Sequence, residues 1–196
     1  GFEMRYISLS VLPLSLTVCG VQALPKAKHR VDQEFAEITN KYTRRADLIP
    51  NLVEVVKGYA GHESSTLEGV IAARAKATSI TIDPSKATPE QLQKYQEAQG
   101  QLTQALGRLM VVSEQYPNLK ADTHFSELQA QLEGTENRIT QTRRVYIESV
   151  REFNDLVAVF PTNLTNTLFF HYEKMPQWSV SEAEKEQIEK APAVKF

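Results

Sequence analysis

Apolar side chains recur along this chain in alternating steps of three and four residues. That spacing keeps one face of an α-helix turned toward a neighbour. The first such run is Val31, Phe35, Ile38, Tyr42, Arg45, Ile49, Leu52, Val56 and Tyr59. Pro50 falls inside it. A proline in a helix interior removes a backbone hydrogen bond and costs about 3 kcal/mol. The stripe nevertheless keeps its phase through Pro50, so one continuous, kinked helix is expected. Gly58 and Gly61 weaken the helix beyond it, and the pattern leaves open whether the chain reverses at Gly61 or runs on. Leu67, Val70, Ile71 and Ala75 form a shorter stripe that ends near Thr78.

The segment from Ser79 to Ala87, with Asp83-Pro84-Ser85 as its turn, reads as a loop. Thr88-Pro89-Glu90-Gln91 carries the signature of a helix start: a threonine cap, proline at the first helical position, and a glutamine placed to close a capping box. Leu92, Tyr95, Leu102, Leu106, Leu109, Val112, Ser113 and Tyr116 follow, and Tyr116-Pro117-Asn118 ends that helix. The longest regular stripe is Phe125, Leu128, Leu132, Thr135, Ile139, Thr142, Tyr146, Ser149, Phe153, Leu156 and Phe160, stopped by Pro161. Leu164, Leu168, Phe169 and Phe170 predict a short apolar turn against the bundle. Beyond Pro176 the chain becomes charged, and a poorly anchored tail is expected.

The fold class is therefore all-α: an antiparallel four-helix bundle of long helices, preceded by an N-terminal hydrophobic targeting or anchor segment. The domain reading is 1–25 for that segment, 26–170 for the bundle and 171–196 for the tail. Arg5 gives a short basic start after Met4. Tyr6 to Leu24 then carries no charge over 19 residues, and Lys26, Lys28, His29 and Arg30 close the run. A spanning helix needs about 20 apolar residues, and Ser8, Ser10, Pro13, Ser15 and Thr17 dilute this one. Three outcomes compete. Cys19 is lipidated, since Leu16-Thr17-Val18-Cys19 resembles a bacterial lipobox. Alternatively cleavage follows Ala23, or the segment stays as an uncleaved anchor. An uncleaved anchor followed by basic residues favours the bundle on the cytoplasmic side; lipidation places it outside. The anchor and lipoprotein outcomes give the expected address, the cell membrane or cell envelope.

Composition narrows the function classes. The 22 basic and 24 acidic residues leave a net charge of −2. No excess of positive charge is available for phosphates, so no nucleic-acid partner is expected. The single cysteine excludes an internal disulfide and a multi-cysteine zinc site. Di-iron bundles use Glu-x-x-His, but the residues three before His29, His62, His124 and His171 are Lys26, Tyr59, Ala121 and Leu168. No metal, cofactor or catalytic residue is expected.

Tyr42-Thr43-Arg44-Arg45-Ala46-Asp47-Leu48-Ile49-Pro50-Asn51-Leu52-Val53 resembles the signature of the bacterial LemA family. So do Tyr59-Ala60 with Glu63, Ala73-Arg74-Ala75, Tyr116 to Ala121, Leu132 to Ile139, Arg143-Arg144-x-Tyr146 and Phe160 to Leu164. The resemblance covers about residues 30 to 170. Ile147, Phe153-Asn154 and Phe170-His171 depart from the family's pattern. The resemblance implies a four-helix bundle behind a membrane segment and implies no activity.

Polar residues on or near the core-facing seams are the candidate site. Arg44, Arg45, Asp47 and Asn51 lie on the first helix; Glu136, Asn137, Arg138, Arg143, Arg144 and Asn154 lie on the last. A buried charge must be paired and hydrogen-bonded. One reading is an inter-helix network, with Arg45 or Arg44 against Glu136, that fixes register. The other is a surface for an anionic group or an unidentified protein partner. Tyr42, Tyr59, Tyr95, Tyr116 and Tyr146 supply a further possibility, the lining of a small-molecule or lipid cavity.

Overall fold

The stripe that begins at Val31 forms part of a single helix, α1, spanning Met4–Ala60. The computed structural model describes the backbone of residues 4–178 and side chains from residue 21 onward. The Cys19 side chain and the charged part of the tail therefore lie outside the described residues. Eight of the nine stripe positions, Val31 through Val56, are buried. Tyr59 is not: it is 45 % exposed, because α1 ends one residue later and Tyr59 Oη donates to Asp122 Oδ2 at 2.8 Å. The helix is continuous through Pro50.

The chain reverses after Ala60. Glu63 N donates to Ala60 O at 3.0 Å, and a side chain at Gly61 would crowd Lys57 O at 3.1 Å. Helix α2, Ser64–Ser79, then packs against α1. Its buried stripe is Leu67, Val70 and Ala77, not the expected Leu67, Val70, Ile71 and Ala75. Ile71 faces solvent because α2 turns its 67–70–77 edge inward. Helix α3, Pro89–Ser113, opens with the expected capping box: Gln91 N donates to Thr88 Oγ1 and Thr88 N to Gln91 Oε1. A single turn, α4 at Pro117–Lys120, leads into α5, Thr123–Ala158, capped by Asp122 accepting from Phe125 N at 2.9 Å.

The described residues form an all-α structure in which α1 pairs chiefly with α5, and α2 with α3. Two ion pairs set the α1–α5 register: Arg45 with Glu136 at 2.7 Å and Arg30 with Glu152 at 2.6 Å. The two α1 partners are 15 residues apart and the two α5 partners 16, so the helices run antiparallel in constant register.

The core comes in two apolar halves. One gathers Ile49, Leu52, Val56, Leu67, Val70, Leu102, Leu109, Phe125 and Leu132. The other gathers Val31, Phe35, Ile38, Tyr42, Leu92, Tyr95, Ile139, Tyr146, Phe153, Met175 and Trp178. After α5 comes a one-turn helix, α6 at Thr162–Thr165, and a π-helical turn at Asn166–Phe170. The expected apolar docking of Leu164, Leu168 and Phe169 is reversed: all three are exposed, and Thr165 and Asn166 are buried. Of the expected loose tail after Pro176 only residues 177 and 178 are described, and there Trp178 is not loose but buried in the second half of the core. Phe160 at the end of the α5 stripe is exposed because α5 stops at Ala158.

Candidate functional site

Between the two apolar halves lies a polar layer centred on Arg45, which is 1 % exposed. The three-four stripe puts this arginine where a hydrophobic side chain would otherwise point. Its Nη1 donates to Glu136 Oε1 at 2.7 Å and to Thr103 Oγ1 at 2.7 Å. Its Nη2 donates to Gln99 Oε1 at 2.7 Å and to Gln99 O at 3.1 Å. The guanidinium carbon also sits 5.0 Å from the centre of the Tyr42 ring, a favourable placement over the negative face of an aromatic ring. Gln99 in turn donates to Ala77 O at 3.3 Å. One side chain from α1 thus ties together α3, α5 and, through Gln99, α2. The planar fork of arginine suits this, because it presents several donors in fixed directions.

Beside this layer opens a cleft of about 260 Å³. Its floor is Tyr42, Tyr95 and Gln99, and its rim includes Asp47, Thr43 and Thr81. Burial pushes the hydroxyls of Tyr42 and Tyr95 toward higher pKa, so both stay neutral donors at ordinary pH. Thr39 and Thr43 bond back to the carbonyls of Phe35 and Thr39 on their own helix. Among the described residues no group of three or more His, Cys, Asp or Glu is placed to hold a metal ion.

The model of the LemA family matches residues 34–196. The chain belongs to the LemA family. It is also similar to Protein LemA of Metamycoplasma hominis, 31 % identical over 120 residues, which is 61 % of this chain and 51 % of that relative. The chain spans about half the length of the curated relative it matches. Among the described residues of this LemA-family chain, no helix is long and apolar enough to cross a membrane.

The LemA signature on α1 divides by exposure. Arg45 is buried and paired; Arg44, Asp47 and Asn51 face water, with Asp47 on the cleft rim. On α5, Glu136 is half-buried at the junction, while Asn137, Arg138 and Arg144 are exposed. Arg143 is half-buried and lies close enough for its charge to act on the Tyr42 hydroxyl. The structure thus brings Arg45 and Glu136 together and leaves most of the other candidates outside the junction. Of the five tyrosines, Tyr42 and Tyr95 line the cleft. Tyr59 bonds Asp122, Tyr116 bonds Glu63, and Tyr146 packs on Phe35 and Trp178.

Asn154 has a different role. Its side-chain amide pairs with the backbone of Met175, accepting from N at 2.8 Å and donating to O at 2.9 Å. Asn166 does the same to Tyr172, at 2.9 Å in both directions. These two clasps lead the chain to Trp178, whose ring meets Tyr95 and Tyr146 edge-on with centroids 6.3 and 5.8 Å away. Neither Asn166 nor Trp178 stands out by periodicity. The available signal was composition: this is the only tryptophan in the chain, three residues after Met175 in a polar tail.

Proposed function

We propose that this LemA-family chain is a membrane-attached, non-catalytic adaptor of the bacterial cell envelope. One observation carries the reading: the polar residues of the signature divide into an internal junction and an external face. Arg45 directs both terminal nitrogens of its guanidinium to Glu136, Thr103 and Gln99 inside the bundle, and only its buried Nε lacks a partner among the described residues. Arg44 and Asn51 on α1, and Asn137, Arg138 and Arg144 on α5, face solvent. Exposed arginines on a rigid helix pair suit recognition of a carboxylate-bearing protein surface. The charge-free run from Tyr6 to Leu24 supports attachment to the membrane, as an anchor or through lipid on Cys19.

Photo-crosslinking in native cells tests this reading. A photoreactive residue at Asn51 or Arg138 is expected to trap one recurrent protein, and one at the exposed Glu97 of α3 is expected not to. Adducts that are absent, or equal at all three positions, would overturn it.

The cleft beside Tyr42 supports a second reading, a small-molecule or lipid-binding bundle. Native mass spectrometry of protein taken from its own membranes checks it. A stoichiometric bound mass, lost in Tyr95→Leu, favours binding; a bare chain rules against it.

A further inference from the structure

Between Asp155 and Glu173 the chain has no acidic residue, lysine or arginine. Within that stretch the usual partition of side chains is inverted. Val159, Phe160, Leu164, Leu168 and Phe169 are 54 to 71 % exposed, while Thr165 and Asn166 are buried. Val159 and Phe160 lie just before the α6 turn, Leu164 within it, and Leu168 and Phe169 in the π-helical turn that follows, so the five exposed side chains are gathered in one short stretch. Five such side chains expose on the order of 600 Å² of apolar surface, at the top of the range for a monomer and below the ~800 Å² per partner of a standard protein interface.

The α1–α5 register says where this tip lies. From the pair Arg30–Glu152, each step toward the start of α1 is matched by a step toward the end of α5. Lys26 is then level with the region of Asp155, so charge ends at the same height on both helices. Beyond that level α1 enters its uncharged run, and alongside it stands the uncharged apolar tip, packed on α1 through α6.

We propose that the tip formed by Val159, Phe160, Leu164, Leu168 and Phe169 seats in the interfacial layer of a lipid bilayer, with the water boundary at Lys26 and Asp155. This deepens the membrane-attached reading and rests on it. The bundle then stands on the membrane by two contacts, α1 and the tip, which fixes its tilt instead of leaving it on a swivel. A second copy of the chain is a poorer occupant, because the tip lies at the end of a long bundle and not along its side.

The test places an environment-sensitive fluorescent amino acid at Leu168 of the full chain, leaving Cys19 intact, with Gln104 on α3 as the control position. The protein is reconstituted into phosphatidylcholine–phosphatidylglycerol vesicles carrying a nitroxide at a shallow acyl position. The expected result is co-flotation with the vesicles, blue-shifted emission at 168 that the nitroxide quenches, and aqueous emission at 104. Co-flotation with aqueous emission at 168 would overturn the tip contact and leave attachment intact. Blue-shifted but unquenched emission at 168 would overturn it in favour of a protein cover. Failure to float would overturn the attachment reading and the tip with it.

Discussion

Arg74 supplies the hydrogen bond that Pro50 cannot. Proline has no N–H, so the carbonyl four residues earlier, Ala46 O, loses its partner within α1. The side chain of Arg74 on α2 donates Nε to that carbonyl at 2.8 Å. The proline and the arginine thus act as one device: the gap in one helix becomes the attachment point for the next.

A double-mutant cycle measures that coupling. Arg74→Met is expected to cost about 1–2 kcal/mol in chemical denaturation, the worth of a hydrogen bond from a charged donor. In a Pro50→Ala background, Ala46 O regains its helical partner, and the same substitution should cost clearly less. An equal cost in both backgrounds would mean that Arg74 acts through packing alone.

The polar layer predicts a sharp contrast among neighbours. Glu136→Gln removes the one carboxylate bonded to the buried Arg45 guanidinium among the described residues and should lower unfolding free energy by about 3 kcal/mol. Arg44→Ala and Arg138→Ala, at exposed positions, should stay within about 0.5 kcal/mol of the parent. A large loss at Arg44 would show that register is held elsewhere.

The tail offers a built-in reporter. Trp178 is the only tryptophan, so intrinsic emission reads its environment directly. Asn154→Ala breaks both bonds to Met175 and is expected to shift that emission to the red before global unfolding begins. Trp178→Ala should cost about 3 kcal/mol, typical of emptying a large aromatic site. Unchanged emission in Asn154→Ala would show that the ring is held without the clasp.

Alkaline pH should destabilise the bundle. Burial raises the pKa of Tyr42, Tyr95 and Tyr146 above the ordinary value near 10. The neutral phenols therefore favour the folded state fully below pH ~10, and that contribution is lost as pH rises further. Thermal melts between pH 9 and pH 12 should fall more steeply for the parent than for Tyr146→Phe.

Much of the architecture is legible in residue spacing. The α1 and α5 stripes place most core positions because a three-four period survives any detail of packing, and Thr88 to Gln91 fixes the start of α3 by local chemistry alone. Spacing fails where tertiary position decides: Ile71 and Phe160 continue an apolar pattern but lie beyond or beside the faces that meet. Arg45 and Glu136 are readable as seam residues, whereas Thr103 and Gln99 look like ordinary polar positions on α3. The clasps of Asn154 and Asn166 bind backbone, which no side-chain pattern reveals.

The socket around Trp178 is built from α1, α3 and α5 through Phe35, Tyr95 and Tyr146. A ribosome makes these three walls first and the tryptophan afterwards. The indole therefore arrives as a closing inspection of the finished assembly: it fits only when all three helices already stand in register. A nascent chain halted before residue 178 would have every long helix of the described residues and still leave this aromatic mouth open.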